Sequence, residues 1–136
     1  MADDARITRT VETDLEVDDL WSLVSDGDAW AEWMVDGAEI DVDPGATGTV
    51  VDDGVTRDVR IDRVEPSHRT GGAVAFTWWP QARPDQTSTV ELVVVPARTG
   101  SRLHVTETYA AACSVATFRW DVRSMLLVAR ASFARA

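Results

Sequence analysis

Between Ala38 and Tyr109, short runs of alternating apolar and polar residues are cut repeatedly by turn signals: Pro44-Gly45, Asp53-Gly54, Pro80, Pro96 and Thr99-Gly100. That rhythm leaves no room for the crossover connections, roughly a dozen residues or more, that parallel strands need. Consecutive strands must therefore run antiparallel. The pattern predicts strands over Thr47–Asp52, Val55–Val64, Ala73–Trp79, Thr87–Val95 and Arg102–Tyr109, with Ala38, Ile40 and Val42 alternating ahead of them. Asp53-Gly54, lying between two such runs, signals a tight hairpin. Pro66 to Gly72 reads as a loop.

The flanks differ. ARITRTVET at 5–13 alternates and predicts an opening strand. Val17, Leu20, Trp21 and Val24 recur at helical spacing, with Asp14 or Asp18 as N-cap and Gly27 as the stop. A second short helix is expected from Asp28 to Met34, with Trp30, Trp33 and Met34 on one side and Gly37 beyond it. From Ala112 to Ala134 there is no breaker, and Val115, Phe118, Val122, Met125, Ala129 and Phe133 mark one wide apolar face of a long helix. Arg119, Arg123 and Arg130 cluster beside it, while Trp120 and Leu127 lie off the stripe. The fold class is α+β in one domain over 1–136: an antiparallel sheet of about six or seven strands against the C-terminal helix, with two short helices after the first strand.

Composition narrows the function. A chain of 136 residues, 45% of them hydrophobic, can bury a core without disulfides or metals. The single Cys113 has no internal partner, the opening MADDARITRT has no apolar h-region, and no apolar run approaches the ~20 residues that span a bilayer. A cytoplasmic setting without membrane contact is expected. The net charge of −10 repels phosphate, which argues against nucleic acid. All 13 basic residues are arginines, so Schiff-base lysines, pyridoxal-phosphate anchors and P-loops are excluded. No cofactor is expected. Nor is a metal: His68 falls in the predicted loop, His104 falls opposite the apolar face of its strand, and no ligand spacing accompanies either. Residues 1–65 hold 19 acids and 5 arginines, whereas 66–136 hold 4 acids and 8 arginines. This asymmetry reads either as two solvated faces or as docking of a charged partner, with the Arg-bearing helix as the surface.

Several segments in order resemble the SRPBCC (START-like, Bet v 1-like) superfamily, and within it the AHSA1-like group named after the activator of Hsp90 ATPase. They are ITRTVETDLEVDDLWSLVSD, DAWAEW, DVDPGATGTV, IDRVEP before AFTWWP, TSTVELVVV, GSRLHVTET and FRWDVRSMLL, together covering about 6–134. The resemblance implies a helix-grip fold, in which a curved sheet wraps the long helix around a deep, mostly apolar cavity. Many relatives bind hydrophobic small molecules there, some catalyse aldol-type cyclisation, and others act on Hsp90. The family's His-Ser-Gly-like strand ending reads Glu107-Thr108-Tyr109 here, so chemistry tied to that His does not carry over.

On the last strand, Leu103, Val105, Glu107 and Tyr109 share one face, and Arg102, His104, Thr106 and Thr108 the other. Turned inward, Glu107 is a carboxyl among apolar groups, the setting of a general acid or base, with Tyr109 as a hydroxyl neighbour. Alternatively it lies at the mouth, solvated or paired with an Arg. The sheet's share of the expected cavity wall is Phe76, Trp78, Val90, Leu92, Leu103 and Val105. Trp33, Phe118 and Val122 add the helical share. One of Trp78 and Trp79 should face inward and the other outward; an outward Trp with Trp120 and Leu127 would offer a patch for a homodimer. Three functions follow: binding of a hydrophobic or aromatic small molecule, polyketide cyclase or aromatase-like catalysis by Glu107 or Tyr109, and a co-chaperone-like or stress-regulatory interaction with a protein partner.

Overall fold

The computed structural model describes residues 5–67 and 71–109. Among these residues the elements are β1 (Ala5–Thr13), α1 (Val17–Ser25), α2 (Gly27–Trp33), β2 (Gly37–Glu39), β3 (Thr47–Asp52), β4 (Val55–Ser67), β5 (Gly71–Pro80), β6 (Ser88–Pro96) and β7 (Ser101–Tyr109). The strands form one curved antiparallel sheet in the order β1-β7-β6-β5-β4-β3-β2. β1 joins the far end, running from Ala5 opposite Tyr109 to Thr13 opposite Ser101. The expected helix from Ala112 to Ala134 lies outside the described residues. So do Cys113, Phe118, Arg119, Trp120, Val122, Arg123, Leu127 and Arg130, and likewise His68.

Alternation sorts the two faces of the sheet. Val90, Leu92 and Val94 of β6 and Leu103 and Val105 of β7 are buried, while Thr89, Thr106 and Thr108 between them are not. The outer face carries polar pairs, including Thr10 Oγ1 with His104 Nδ1 at 2.8 Å and Arg102 Nη2 donating to Glu12 Oε1 at 2.6 Å. A bulge between Ile61 and Arg63 inserts Asp62 and shifts the parity of β4. Asp62 points outward and accepts from Thr77 Oγ1 at 2.6 Å, and beyond it Arg63 faces outward while Val64 turns to the buried face. The hairpin turn is as expected: Asp53 and Gly54 take φ of 51° and 77°, the left-handed conformation that a two-residue hairpin turn requires.

α1 lies against β5, β6 and β7, and α2 packs on α1. Two tryptophans lock this corner. Trp30 Nε1 donates to Val24 O and Trp33 Nε1 to Leu23 O, both at 2.9 Å, and these carbonyls belong to the last turn of α1, where no intrahelical donor is left. Trp30 then meets Phe76 with ring centroids 4.9 Å apart, tying the corner to the sheet.

The structure corrects three local expectations. The N-cap of α1 is Glu16, without a side-chain hydrogen bond, rather than Asp14 or Asp18; Asp18 and Asp19 occupy the first turn, where the helix dipole favours acids. Gly27 does not stop α1 but opens α2, capped by Asp26 Oδ1 accepting from Asp28 N at 3.0 Å. It is glycine because a Cβ there would stand 1.8 Å from Ile40 O. Pro66 lies inside β4, not in a loop. β3 pairs with β4 only from Val55 to Arg60, so the missing N–H of Pro66 interrupts no ladder on that side.

Candidate functional site

The register gathers the polar residues of the buried face at one end. Trp78, Ser88 and Tyr109 stand opposite one another across β5, β6 and β7, and Phe76, Val90 and Glu107 form the next row. Glu107 and Tyr109 are fully buried, and Ser88 and Trp78 nearly so. Glu107 Oε1 accepts from Tyr109 Oη at 2.5 Å. Its Oε2 accepts from Ser88 Oγ at 2.5 Å and from Trp78 Nε1 at 2.9 Å. Trp78 Nε1 also donates to Ser88 Oγ at 2.9 Å. The carboxyl therefore belongs to a hydrogen-bonded polar cluster set in an apolar wall of Val90, Leu92, Leu103 and Val105, and is not solvated at a rim. A polar group this deep is tolerable only because it has such partners.

Arg57 adds a charge to the same face. It lies in β4 beside Val59 and Ile61, and its Cζ sits 4.6 Å from the centroid of the Trp78 ring. Burial pushes its guanidinium below the ordinary range, while Glu107, then Asp52 and Tyr109, pull it back up. Asp52 ends β3 at the hairpin turn, and its carboxyl is raised above the usual range by burial first and by Asp36 second.

Of the expected cavity residues, Phe76, Trp78, Val90, Leu92, Leu103, Val105 and Glu107 share the buried face of the sheet, and Trp33 is buried in the helical corner. Trp78 is the inward member of its pair and Trp79 is half-buried. Ser88 and Arg57 escaped the sequence reading. The signal for Arg57 was its place in the alternation Val55, Arg57, Val59, Ile61; the signal for Ser88 was its position heading a strand of inward Val90, Leu92 and Val94. Among the described residues no group of three or more His, Cys, Asp or Glu is placed to hold a metal, and no helix is long and apolar enough to cross a membrane. A recess at the α1–α2 junction is lined by Asp26, Asp28, Asp41 and Asp43 among others and does not suit an apolar molecule.

A family model described as polyketide cyclase/dehydrase and lipid transport matches residues 4–135. No curated protein matches by sequence. Among solved structures, protein MLL2253 from Mesorhizobium loti is similar at 17% identity and a TM-score of 0.70, over 97% of this chain and 98% of that one. CalU16 from Micromonospora echinospora is 23% identical with a TM-score of 0.59; 77% of this chain is covered, and it spans 59% of CalU16. Norcoclaurine synthase from Thalictrum flavum, solved in complex with dopamine and hydroxybenzaldehyde, is 12% identical with a TM-score of 0.71, over 98% of this chain and 89% of that one. At these identities the likeness is one of fold.

Proposed function

The chain belongs to the polyketide cyclase/dehydrase and lipid transport family, within the SRPBCC superfamily, and from that premise we propose that the buried face of its sheet is the wall of a pocket for a hydrophobic or aromatic small molecule. The observation that carries this reading is the make-up of that face. Phe76, Val90, Leu92, Leu103 and Val105 supply apolar area, and Trp78, Ser88, Glu107 and Tyr109 concentrate hydrogen-bonding groups at one end. Small-molecule sites combine a largely apolar lining with a few placed polar groups that fix orientation. Phe118 and Val122 complete the lining from the C-terminal segment in this reading. A place among AHSA1-like members rests on the ordered sequence segments, and a cytoplasmic setting on the lone Cys113.

A second reading, cyclase-like catalysis, draws on the 2.5 Å contact between Glu107 Oε1 and Tyr109 Oη. A carboxyl and a phenol in contact form a proton-transfer pair, and a bound carbonyl compound within reach would exchange a proton with it. Titration of intrinsic tryptophan fluorescence with flavonoids, fatty acids and polyketide-like aromatics tests both readings, because Trp78 belongs to the wall. A saturable change supports the pocket, and silence across the panel rejects it. Turnover lost in Glu107→Gln with binding retained selects the enzyme; binding without turnover in the wild type selects the carrier.

A further inference from the structure

β1 ends the sheet and pairs on one side only, with β7, in unbroken register from Ala5 opposite Tyr109 to Thr13 opposite Ser101. The other edge strand, β2, has three residues and finishes on the exposed Glu39. Shortness and surface charge are ways of blunting a sheet edge. A nine-residue strand without proline or bulge is the opposite case, offering backbone donors and acceptors to an added strand. Its charges decide which strand fits. Arg6, Thr8, Thr10 and Glu12 lie on the outer face, while Ile7, Arg9 and Val11 stand opposite the buried Glu107, Val105 and Leu103. Arg6, Arg9 and Glu12 are all exposed. Glu12 is held by Arg102 at 2.6 Å, whereas neither Arg6 nor Arg9 has an ion pair among the described residues. Arg9 Nη1 donates to Thr8 O at 2.9 Å, and its other N–H groups remain for a carboxylate.

We propose that the free edge of β1 docks an extended acidic segment of a partner protein, added antiparallel, and that Arg9 is the residue that selects it. A second copy of the chain is the rival occupant. A two-fold axis through residue 9 sets Arg6 against Glu12, Ile7 against Val11 and Thr8 against Thr10, but it also sets Arg9 against Arg9. Moving the axis to Thr8 or Thr10 sets Arg9 against Ile7 or Val11 instead. Like charges directly opposite each other are destabilising, and a cation covered without a partner is costlier still. A strand that brings a carboxylate opposite Arg9 turns the same position into a charge-assisted pair. The net charge of −10 opposes an acidic partner at a distance, but such fields fade within about 8 Å at physiological salt. Residues 5–11, which meet the partner, hold two arginines and no acid.

Mixing the wild type with an Arg9→Glu variant tests this, because the variant's own β1 is such a strand. Sedimentation velocity should show each protein alone as a monomer and the mixture as a 1:1 dimer. The mixed association constant should exceed that of either homodimer about tenfold or more. In NMR spectra of nitrogen-15-labelled wild type, the amides of residues 6–12 should shift on mixing while those of β3 and β4 stay in place. The peptide Val-Thr-Glu-Thr-Val-Glu, which sets carboxylates opposite Arg9 and Arg6, should move the same amides more than Val-Thr-Lys-Thr-Val-Lys does, so the outcome does not hang on the variant's folding. Wild-type self-association as tight as the mixture makes a second copy the occupant and overturns the proposal. So do shifts lying away from β1, equal responses to the two peptides, or no response to the variant and the acidic peptide alike.

Discussion

Tyr109→Phe tests the phenol–carboxyl contact of the buried cluster. The substitution keeps the ring, which is fully buried at the end of β7, and deletes the hydroxyl that donates to Glu107 Oε1 at 2.5 Å. Glu107 keeps its bonds from Ser88 and Trp78, so what the carboxyl loses is the hydrogen bond from Tyr109. Such a bond contributes about 1–3 kcal/mol, depending on how much charge the acceptor bears. Urea denaturation followed by tryptophan fluorescence should show that loss with an unchanged slope, and a thermal scan should show a fall of roughly 5–10 °C if the loss is about 2 kcal/mol. Thr108→Val, one residue away on the outer face, is the control and should change stability by no more than about 0.5 kcal/mol. If Tyr109→Phe falls within that same margin, the cluster is not a cooperative part of the fold, and the reasoning that ties Glu107 to its cradle fails.

Trp33→Phe leaves the carbonyl of Leu23 without its indole donor, and chemical denaturation should register a loss of about 1–3 kcal/mol. Gly27→Ala drives a methyl into Ile40 O, a backbone atom that cannot swing aside, so the melting temperature should drop in step with about 3 kcal/mol; a neutral outcome would contradict the close packing of α2 on the 40–43 segment. Because burial raises the Asp52 carboxyl, the folded state binds more protons there than the unfolded chain, and stability falls as pH climbs from about 3.9 through the raised value. Asp52→Asn should therefore be the more stable protein at neutral pH, the gap closing below about pH 4 when unfolding is measured across a pH series.

The sequence made the sheet legible wherever one face is apolar and the other polar. Ser101 to Tyr109 alternates without a break, and Leu103, Val105, Glu107 and Tyr109 are buried as a set. β5 was harder, because Ala75 and Thr77 on its second face are buried too, and alternation alone cannot choose between Trp78 and Trp79. Tertiary context decided what local signals misreported. Gly27 looks like a helix stop, but its lack of a side chain serves the approach of Ile40. Pro66 looks like a loop residue, but it sits where β4 has outrun β3. Glu107 and Tyr109 could be read from strand parity. Ser88 and Arg57 could not be joined to them without the register that sets β4, β5, β6 and β7 side by side.

The central claim is that the buried face of the sheet receives an aromatic molecule at its polar end. Two-dimensional amide and indole NMR during titration with an aromatic ligand reads that face directly. Saturable shifts of the Trp78 indole N–H and of the Val90, Glu107 and Tyr109 amides, with Thr10 and His104 on the outer face unmoved, are the expected result. Shifts confined to the outer face, or none at saturating ligand, would contradict it.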